Sequence, residues 1–256
     1  MLSLCVLFVL FSASASFRPD VTIDSHELFD RCLDGENHKR KPGPEDALHG
    51  HCSPWVNRSC CTEDTAQLIH HGVLYNFDWD HCKNVKNMSD ECRKHFNWDH
   101  CFFECSPNVG PWLVKIPDMK TRNESYFEVP LCANECDSWF EACKNDYTCT
   151  DNWLKNFEWK KVGRNKKRTN VCPAESTCKT FKEIYQTADN FCERVWDHSW
   201  KYTSNDQPCM KMWFDGPENP NDDVARWKIQ VMYDDDTTSP NNSQVQLLGQ
   251  YCKTNF

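Results

Sequence analysis

The sequence predicts a disulfide-rich α+β globular domain, made mainly of helices and loops with short strands. Eighteen of its 256 residues are cysteine. Several segments carry apolar or cysteine residues at helical spacing, whereas residues 73–79 alternate between two sides as a strand does. Cysteine at this density is typical of proteins that fold in an oxidising, extracytoplasmic compartment.

The first sixteen residues are typical of a secretory signal peptide. Residues 1–16 combine an apolar run with a small-residue segment, Ser-Ala-Ser-Ala-Ser, that suits cleavage. Cys5 lies in this segment, which leaves 17 of the 18 cysteines. Cys252 stands apart near the C-terminus, so we expect it to be free or to link to another chain, and the others to form bridges. Because no Cys-x-x-Cys pair occurs, we expect no metal site.

Composition argues for a binding protein with a thin core. The net charge of −9 makes a nucleic-acid partner improbable. Hydrophobic residues make up 39% of the chain, so bridges are expected to supplement the core, each by about 2–4 kcal/mol. The 11 Trp and 15 Phe residues either pack between the bridges or line a ligand cleft.

The first half of the chain alternates short elements with rigid turns. The predicted order is a short helix at 25–32, turns at 41–46 and 52–55, a helix at 63–71, an extended segment at 73–79 and a loop at 83–91. Ser25 and Thr62 are the predicted helix caps. Cys60 and Cys61 are adjacent and can hardly bridge each other, so they tie two different elements together.

A predicted helix from Cys92 to Cys105 is the most informative segment, and Pro107 ends it. Asp99 and Phe103 lie four residues apart on one face of this helix. An acid held beside aromatic rings can bind the N–H edge of a flat heterocycle. The alternative is an ordinary surface aspartate without a ligand.

The second half is predicted to contain, in order, a loop or hairpin at 115–128, a helix at 131–143, an irregular aromatic segment at 149–159, a basic loop at 160–170, a helical stretch at 181–200, a turn at 216–220 and a final helix at 222–232. Trp196 and Ser199 would share one helical face. The basic loop is either a solvated surface or a contact for heparin or protein. Residues 233–256 are predicted to be a disordered acidic and polar tail, so the domain spans 17–232.

No catalytic motif is present. The sequence contains no phosphate-binding glycine loop and no nucleophile elbow, and the adjacent acids Glu45 and Asp46 do not form a glycosidase pair. No hydrophobic C-terminal tail follows the last helix, so we expect neither a GPI anchor nor a membrane span. Four sequons predict glycosylation of a secreted chain, at Asn57, Asn87, Asn123 and Asn241.

Several motifs, in one order along the chain, carry a family resemblance. They are Lys41-Pro-Gly-Pro-Glu-Asp46, Cys52-x-Pro-Trp55, Cys60-Cys61, Cys105-Ser-Pro-Asn-Val-Gly-Pro-Trp112, Val129-Pro-Leu-Cys132, Tyr147-Thr-Cys-x-x-Asn-Trp153, Met212-Trp-Phe-Asp215 and Asn219-Pro-Asn-x-x-Val-Ala-Arg226. They resemble the folate receptors, a family that also holds the riboflavin-binding proteins of eggs and the sperm-receptor protein of the egg surface. The resemblance covers residues 26–230, nearly the whole chain after the signal.

The resemblance implies a folate-receptor-like fold with several helices, short strands and a long open ligand pocket. It also implies eight bridges, which are Cys32–Cys60, Cys52–Cys101, Cys61–Cys105, Cys82–Cys178, Cys92–Cys143, Cys132–Cys209, Cys136–Cys192 and Cys149–Cys172. Cys252 has no counterpart in the family.

The resemblance further implies a ligand site. Folate receptors hold the pterin deep in the pocket with its glutamate pointing out. The acid that binds the pterin amino edge as an ionised carboxylate falls on Asp99, a charge-assisted contact. The other matching positions are Trp196 and Phe103 as stacking rings, Ser199, Tyr75 and Phe77 in the aromatic wall, Trp153 and Trp159 near the mouth, Lys155 near the glutamate, and Arg122 on the pterin carbonyl side.

Several positions depart from the family pattern. Ser125 replaces a second arginine, and Thr121 replaces a tryptophan. Leu154 and Phe157 replace a histidine and a tryptophan near the mouth, and Phe103 replaces a tyrosine. More of the family's residues are retained deep in the pocket than at its rim. The resemblance therefore implies that the protein binds folate more weakly, or that its ligand is a related pterin or flavin.

Three hypotheses follow, all without a cofactor. The first is a secreted folate- or pterin-binding protein for vitamin transport. The second is a riboflavin-binding protein, which needs the same rings but not Asp99. The third is a surface or gamete-recognition protein that acts through a protein interface, with Cys252 as a possible intermolecular link.

Overall fold

The structure is a computed structural model that describes residues 25–116, 122–161 and 167–237. The predicted signal, Thr121, Asn241 and Cys252 lie outside these residues. Within them, regular structure consists of short helices and still shorter strands, which confirms the predicted α+β class.

The helices are α1 (Ser25–Phe29), α2 (Glu63–His70), α3 (Asp90–Cys105), α4 (Ala133–Cys143), α5 (Phe181–Tyr185), α6 (Ala188–Val195) and α7 (Asn221–Thr237). The predicted cap Thr62 accepts a hydrogen bond from the backbone N–H of Thr65. Ser89 caps α3 in the same way, so this helix begins earlier than the sequence predicted. Ser25 is itself helical rather than a cap.

The strands are β1 (Leu113–Lys115), β2 (Glu124–Tyr126), β3 (Val129–Cys132), β4 (Tyr147–Thr148), β5 (Glu158–Lys161), β6 (Arg168–Val171), β7 (Lys179–Thr180) and β8 (Trp200–Thr203). They form two-stranded ladders. Strands β1–β2, β4–β7 and β5–β6 pair antiparallel, whereas β3–β8 pair in parallel with Val129 opposite Trp200. Such small ladders cannot enclose a core, so packing around the helices must do so.

Disulfides fix the position of α3. The described residues form eight bridges, and their pairing is the one that the resemblance implied. Cys92 ties the start of α3 to α4, while Cys101 and Cys105 tie its last turns to Cys52 and Cys61. As predicted, the neighbours Cys60 and Cys61 join different partners.

An aromatic core surrounds α3. Phe96 stacks on Trp153 with ring centroids 4.8 Å apart and planes 9° apart, and Trp139 meets Phe96 edge-on at 4.9 Å. All three side chains are almost completely buried. Each such side chain contributes roughly 1.5–3 kcal/mol through burial. Much of the high aromatic content therefore forms the core.

The first and last described helices pack together. Arg226 of α7 lies over the ring of Phe29 in α1, 4.5 Å from the centroid. Arg58 lies over the same ring at 5.3 Å and also pairs with Asp222. Cation–π and ionic contacts thus join the two ends of the described domain.

Residues 73–79 are not extended, contrary to the sequence-based prediction. Leu74–Asn76 form a 3-10 turn, in which Tyr75 and Asn76 have φ values of 55° and 56°. Asparagine tolerates this left-handed region better than most residues. The Asn76 Nδ2 group also donates to the carbonyl oxygen of Arg168 at 2.7 Å. The alternating aromatic residues of this segment therefore do not form a strand.

Three further segments differ from the predictions. The β5–β6 hairpin contains residues that were predicted to lie in the basic loop and at the end of the irregular segment. The predicted helical stretch at 181–200 breaks at Gln186, where φ is 67°, and it ends at Val195 before two more positive-φ residues. Helix α7 runs to Thr237, so the predicted start of the tail at 233 lies inside a helix. No helix within 25–116, 122–161 or 167–237 combines the length and apolar character needed to cross a bilayer.

Gly110 allows a close approach between backbones and provides a test of the packing. A Cβ atom at Gly110 would lie 2.1 Å from the carbonyl oxygen of Leu28, whereas one at Gly43 would meet nothing within 4 Å. We expect Gly110→Ala to lower the free energy of unfolding by about 2 kcal/mol or more, because the clash is with backbone. Gly43→Ala should be near neutral. Denaturant unfolding of both variants measures this, and equal stabilities would contradict the packing described here.

Candidate ligand-binding site

A cavity of about 700 Å³ lies beside α3. Its lining residues are Glu36, Tyr75, Phe77, Asp99, His100, Phe103, Arg122, Ser125, Tyr126, Trp153, Leu154, Trp159, Arg168, Trp196 and Ser199. The lining runs from the buried Asp99 to the exposed Glu36 and Arg168. The volume and the mainly aromatic lining suit a small flat ligand.

Asp99 is the buried polar centre of this cavity. Its side chain lies on the third turn of α3, and the residue is only 3% exposed. The indole N–H of Trp196 donates to Oδ2 at 2.8 Å, and that of Trp200 donates to Oδ1 at 2.7 Å. Each carboxylate oxygen can accept a further hydrogen bond, so the group can still bind donors from the cavity.

Burial changes the charge of Asp99. Desolvation raises the pKa of Asp99 to about 7, against the opposing effect of the Trp200 and Trp196 hydrogen bonds. The carboxyl is therefore only about half ionised at neutral pH, whereas the sequence-based interpretation took it as a carboxylate. The adjacent His100 donates Nδ1–H to the Phe96 carbonyl at 2.9 Å, and burial lowers its pKa to about 4, so it stays neutral.

Aromatic rings form two walls of the cavity. Phe77 contacts Trp196 edge-on at 6.2 Å and stacks on Trp153 at 5.5 Å. Phe103, one helical turn after Asp99, meets Tyr126 at 5.2 Å. No ring contact joins Phe103 to Trp196, although both line the cavity and both are among the described residues. The two sets of rings are thus separate contact surfaces for a planar ligand.

Arg122 supplies the cation of the Phe103 wall. Its guanidinium lies 4.9 Å from the Phe103 ring centroid, and its Nε has no hydrogen-bond partner among the described residues. A buried, unpaired guanidinium donor favours an acceptor on the ligand. Ser125, where the family has a second arginine, also lines the cavity.

A second buried acid, Glu104, lies behind the cavity wall. The Tyr75 hydroxyl donates to Glu104 Oε1 at 2.7 Å, and His38 Nε2 lies 3.2 Å from Oε2. Burial raises the pKa of Glu104 to about 7 and lowers that of His38 to about 4. His38 directs its Nε2–H to the carbonyl oxygen of Phe103 at 3.3 Å rather than to Glu104. Glu104 thus holds the hydroxyl of Tyr75, which lines the cavity.

The cavity contains nine of the ten predicted ligand residues, and Lys155 is the exception. The Nζ of Lys155 pairs with Asp197 Oδ2 at 2.8 Å. The left-handed backbone at Asp197, with φ of 51°, is part of the turn that presents this carboxylate. The same turn, rather than a shared helical face, brings Trp196 and Ser199 together. Phe157 packs against Phe77 and His81 and does not line the cavity.

Sequence reasoning missed several polar residues of this site. They are Glu36, His100, Tyr126 and Arg168 in the lining, Trp200 as the second donor to Asp99, and Glu104 behind the wall. The bridged Cys101 and Cys105 on the same turns were the one signal that this part of α3 is buried. The hydrogen bond from Trp200 depends on the break after α6, which the predicted long helix concealed.

The described residues offer few side chains that could bind a metal ion together. Within the described ranges, the two groups of suitably spaced ligand types are His81, Cys82, Cys149 and Cys82, Cys172, Cys178. Every cysteine in them belongs to a disulfide, so its sulfur cannot bind a metal as a thiolate. The predicted glycosylation sites Asn57, Asn87 and Asn123 are exposed and remain predictions.

Comparison with known proteins identifies the family of this chain. The profile of the folate receptor family matches residues 31–211. The chain belongs to the folate receptor family. Human folate receptor gamma is 39% identical over 233 residues, which cover 89% of this chain and 91% of the relative. Human folate receptor alpha is 40% identical over 212 residues, covering 80% and 79%.

The riboflavin-binding protein of Dromaius novaehollandiae is 34% identical over 184 residues, which cover 71% of each chain. Membership of the folate receptor family thus comes with relatives named for two different vitamins. The cavity described above lies within the matched region.

The raised pKa of Asp99 predicts a pH-dependent stability for the ligand-free protein. Between about pH 4 and 7 the folded state keeps a proton that the unfolded state releases, so the Asp99 contribution to stability falls as pH rises. Asp99→Asn should remove this component, up to roughly 4 kcal/mol across the window. Guanidinium unfolding of both proteins from pH 4 to 8 measures this difference. Parallel pH profiles would show that Asp99 titrates normally.

Proposed function

We propose that this protein is a secreted folate- or pterin-binding protein that binds and delivers the vitamin without catalysis. The observation that carries the proposal is Asp99, a buried acid facing a cavity with aromatic walls. A pterin offers adjacent N–H donors on one edge of a flat ring, and such donors match the free lone pairs of a carboxylate.

Binding of that edge would change the protonation of Asp99. Two N–H donors favour the ionised carboxylate and so offset the desolvation that raises its pKa. The ligand ring would lie between Phe103 and Trp196, with Arg122 near its carbonyl side. Tyr75, fixed by Glu104, would complete the wall. Each of these groups is held in place without the ligand, which lowers the entropic cost of binding.

The bridges support an extracytoplasmic site of action. Eight disulfides persist in an oxidising compartment and would be unusual in the cytosol. Together with the predicted signal at 1–16, they support secretion. A protein partner, or a link through Cys252, stays a prediction.

Riboflavin is the second candidate, because a relative named as a riboflavin-binding protein covers 71% of this chain. Two aromatic walls accept any flat ring of suitable size. Recognition of a flavin would depend less on Asp99. A yellow purified protein that releases riboflavin, identified by mass spectrometry, would favour this ligand over folate.

Titration of tryptophan fluorescence with folic acid tests the main proposal. We expect quenching with a Kd at or below the micromolar range. Asp99→Ala should weaken binding by about ten- to a hundred-fold, because the variant loses the charge-assisted hydrogen bonds to the ligand. Asp206→Ala, an exposed aspartate in a turn, is the matched control and should bind like wild type. Absence of quenching in wild type, or equal affinities of wild type and Asp99→Ala, would sink the proposal.

The affinity for folic acid should also rise with pH. Below a pKa of about 7 most Asp99 side chains are protonated in the free protein, and binding to the ionised form then requires loss of that proton. We expect Kd to fall by up to about tenfold between pH 6 and 8. The Asp99→Asn variant should lack this component. A wild-type Kd that is constant over this range would contradict the proposed role of the carboxylate.

A further inference from the structure

A second concavity, the α3 groove, lies on the side of α3 that faces away from the ligand cavity. It has a volume of about 370 Å³, and none of the described residues lines both it and the cavity. Its lining from α3 follows the spacing of one helical face and consists of Asp90, Arg93, Lys94, Asn97, Trp98 and Cys101. At about 100° per residue, the middle of this face is opposite Asp99. The groove is therefore a separate site and not an extension of the cavity.

Two tryptophans form a fixed apolar surface in the α3 groove. Trp98 and Trp213 stack with ring centroids 5.4 Å apart and planes 26° apart, and the buried Trp55 meets Trp213 edge-on at 6.3 Å. The exposed Lys94 lies over the Trp98 ring, 4.8 Å from its centroid, so solvent reaches this ring. Because the rings are held in place before binding, a ligand that stacks on them loses little entropy in ordering them.

Polar groups without partners surround this surface. The carboxylate of Asp90 and the amide of Asn97 form no side-chain hydrogen bond with the described residues. His51 Nδ1 is buried and also lacks a partner in the described part of the chain, which is unfavourable unless a ligand supplies one. Burial and the neighbouring His70 lower the pKa of His51, so its imidazole is neutral at pH 7 and offers one donor and one acceptor.

The charges of the α3 groove do not favour an ionic ligand. Arg93 pairs with Asp80 at 3.1 Å, and Lys94 pairs with the exposed Glu91 at 3.8 Å. Asp90 lies one helical turn from both cations, so no single sign dominates. A neutral ligand rich in hydroxyls matches this mixed set, because each hydroxyl both donates and accepts. A pyranose sugar combines such hydroxyls with an apolar C–H face that can lie on an aromatic ring.

From this geometry we infer that the α3 groove is a carbohydrate-binding site for one or two pyranose rings. Its volume of about 370 Å³ lies at the low end of the range for small-ligand sites, about 300–1,000 Å³. One source of such a sugar is the predicted glycosylation site Asn87, which is exposed and precedes Asp90 by three residues, or at most about 11 Å of chain. The other source is a glycan of another molecule. The inference does not depend on the proposed binding of a vitamin.

Saturation-transfer NMR with N,N′-diacetylchitobiose, the disaccharide that begins an N-linked glycan, tests the inference. The parent protein is Asn87→Gln, in which no glycan on residue 87 can occupy the groove. We expect binding with a Kd of about 1 mM and the strongest transfer to C–H protons on one ring face. Sorbitol, an open-chain polyol without a ring face, should not bind. Added salt of about 0.5 M should leave the Kd unchanged, since the ligand is neutral.

Three further variants in the Asn87→Gln parent locate the binding site. Trp98→Leu should abolish detectable binding, and Asn97→Ala should weaken it about five-fold through loss of hydrogen bonds to the sugar. Asn190→Ala, an exposed asparagine in α6, is the matched control and should bind like the parent. Asn97→Ala removes no hydrogen bond to a described residue, so it decides the question if Trp98→Leu lowers the unfolding midpoint.

Glycosylated wild type distinguishes the two sources of the sugar. Binding to Asn87→Gln but not to glycosylated wild type would support the inference and assign the groove to the Asn87 glycan. Equal binding to both would support it and assign the groove to glycans of other molecules. Absence of saturation transfer in Asn87→Gln would overturn the inference. Binding that Trp98→Leu retains, or an unchanged affinity in Asn97→Ala, would overturn it as well, because the disaccharide would then lie elsewhere.

Discussion

The fixed position of α3 is the constraint on which the cavity depends. Three disulfides hold this helix at its start and in its last turns, and the stack of Phe96 on Trp153 packs its middle. Between these anchors the same helix presents Asp99 and Phe103 to the cavity. A helix held so firmly can keep an acid buried at a place where an unconstrained chain would rotate it toward water.

Burial of two carboxyl groups in one small region opposes folding, and the structure offsets part of this effect. Asp99 accepts two indole N–H donors, and Glu104 accepts the Tyr75 hydroxyl. Burial nevertheless dominates, so the pKa of each acid rises to about 7. Groups that titrate near neutrality at a cavity are typical of binding sites. The cost in stability and the capacity to bind an N–H edge have the same physical origin.

Local signals in the sequence predicted some elements well and others poorly. Cap residues and helical spacing predicted α2, α3 and α4, because a cap and an apolar face are properties of neighbouring residues. The 73–79 segment failed, since left-handed residues at Tyr75 and Asn76 break a pattern that looks like a strand. The disulfide pairing followed from the resemblance and not from spacing.

The polar contacts of the site were harder to predict than its rings. The hydrogen bond from Trp200 to Asp99 joins residues 101 positions apart, and the pairing of Lys155 with Asp197 depends on one left-handed turn. Such contacts are set by tertiary geometry, which no local pattern encodes. The ring positions, like Asp99 and Arg122, came from the resemblance, which carries over matching residues but not the contacts between them.

The contact between α1 and α7 has a consequence for engineering the chain. Arg226 over Phe29 and Arg58 beside Asp222 bring the outermost helices of the described domain together. Chain ends that lie near each other favour circular permutation. Helix α7 continues for roughly 16 Å beyond Arg226, so a linker that spans this length could join it to α1, and new ends could be opened in a surface loop while every described cysteine pair keeps its partner.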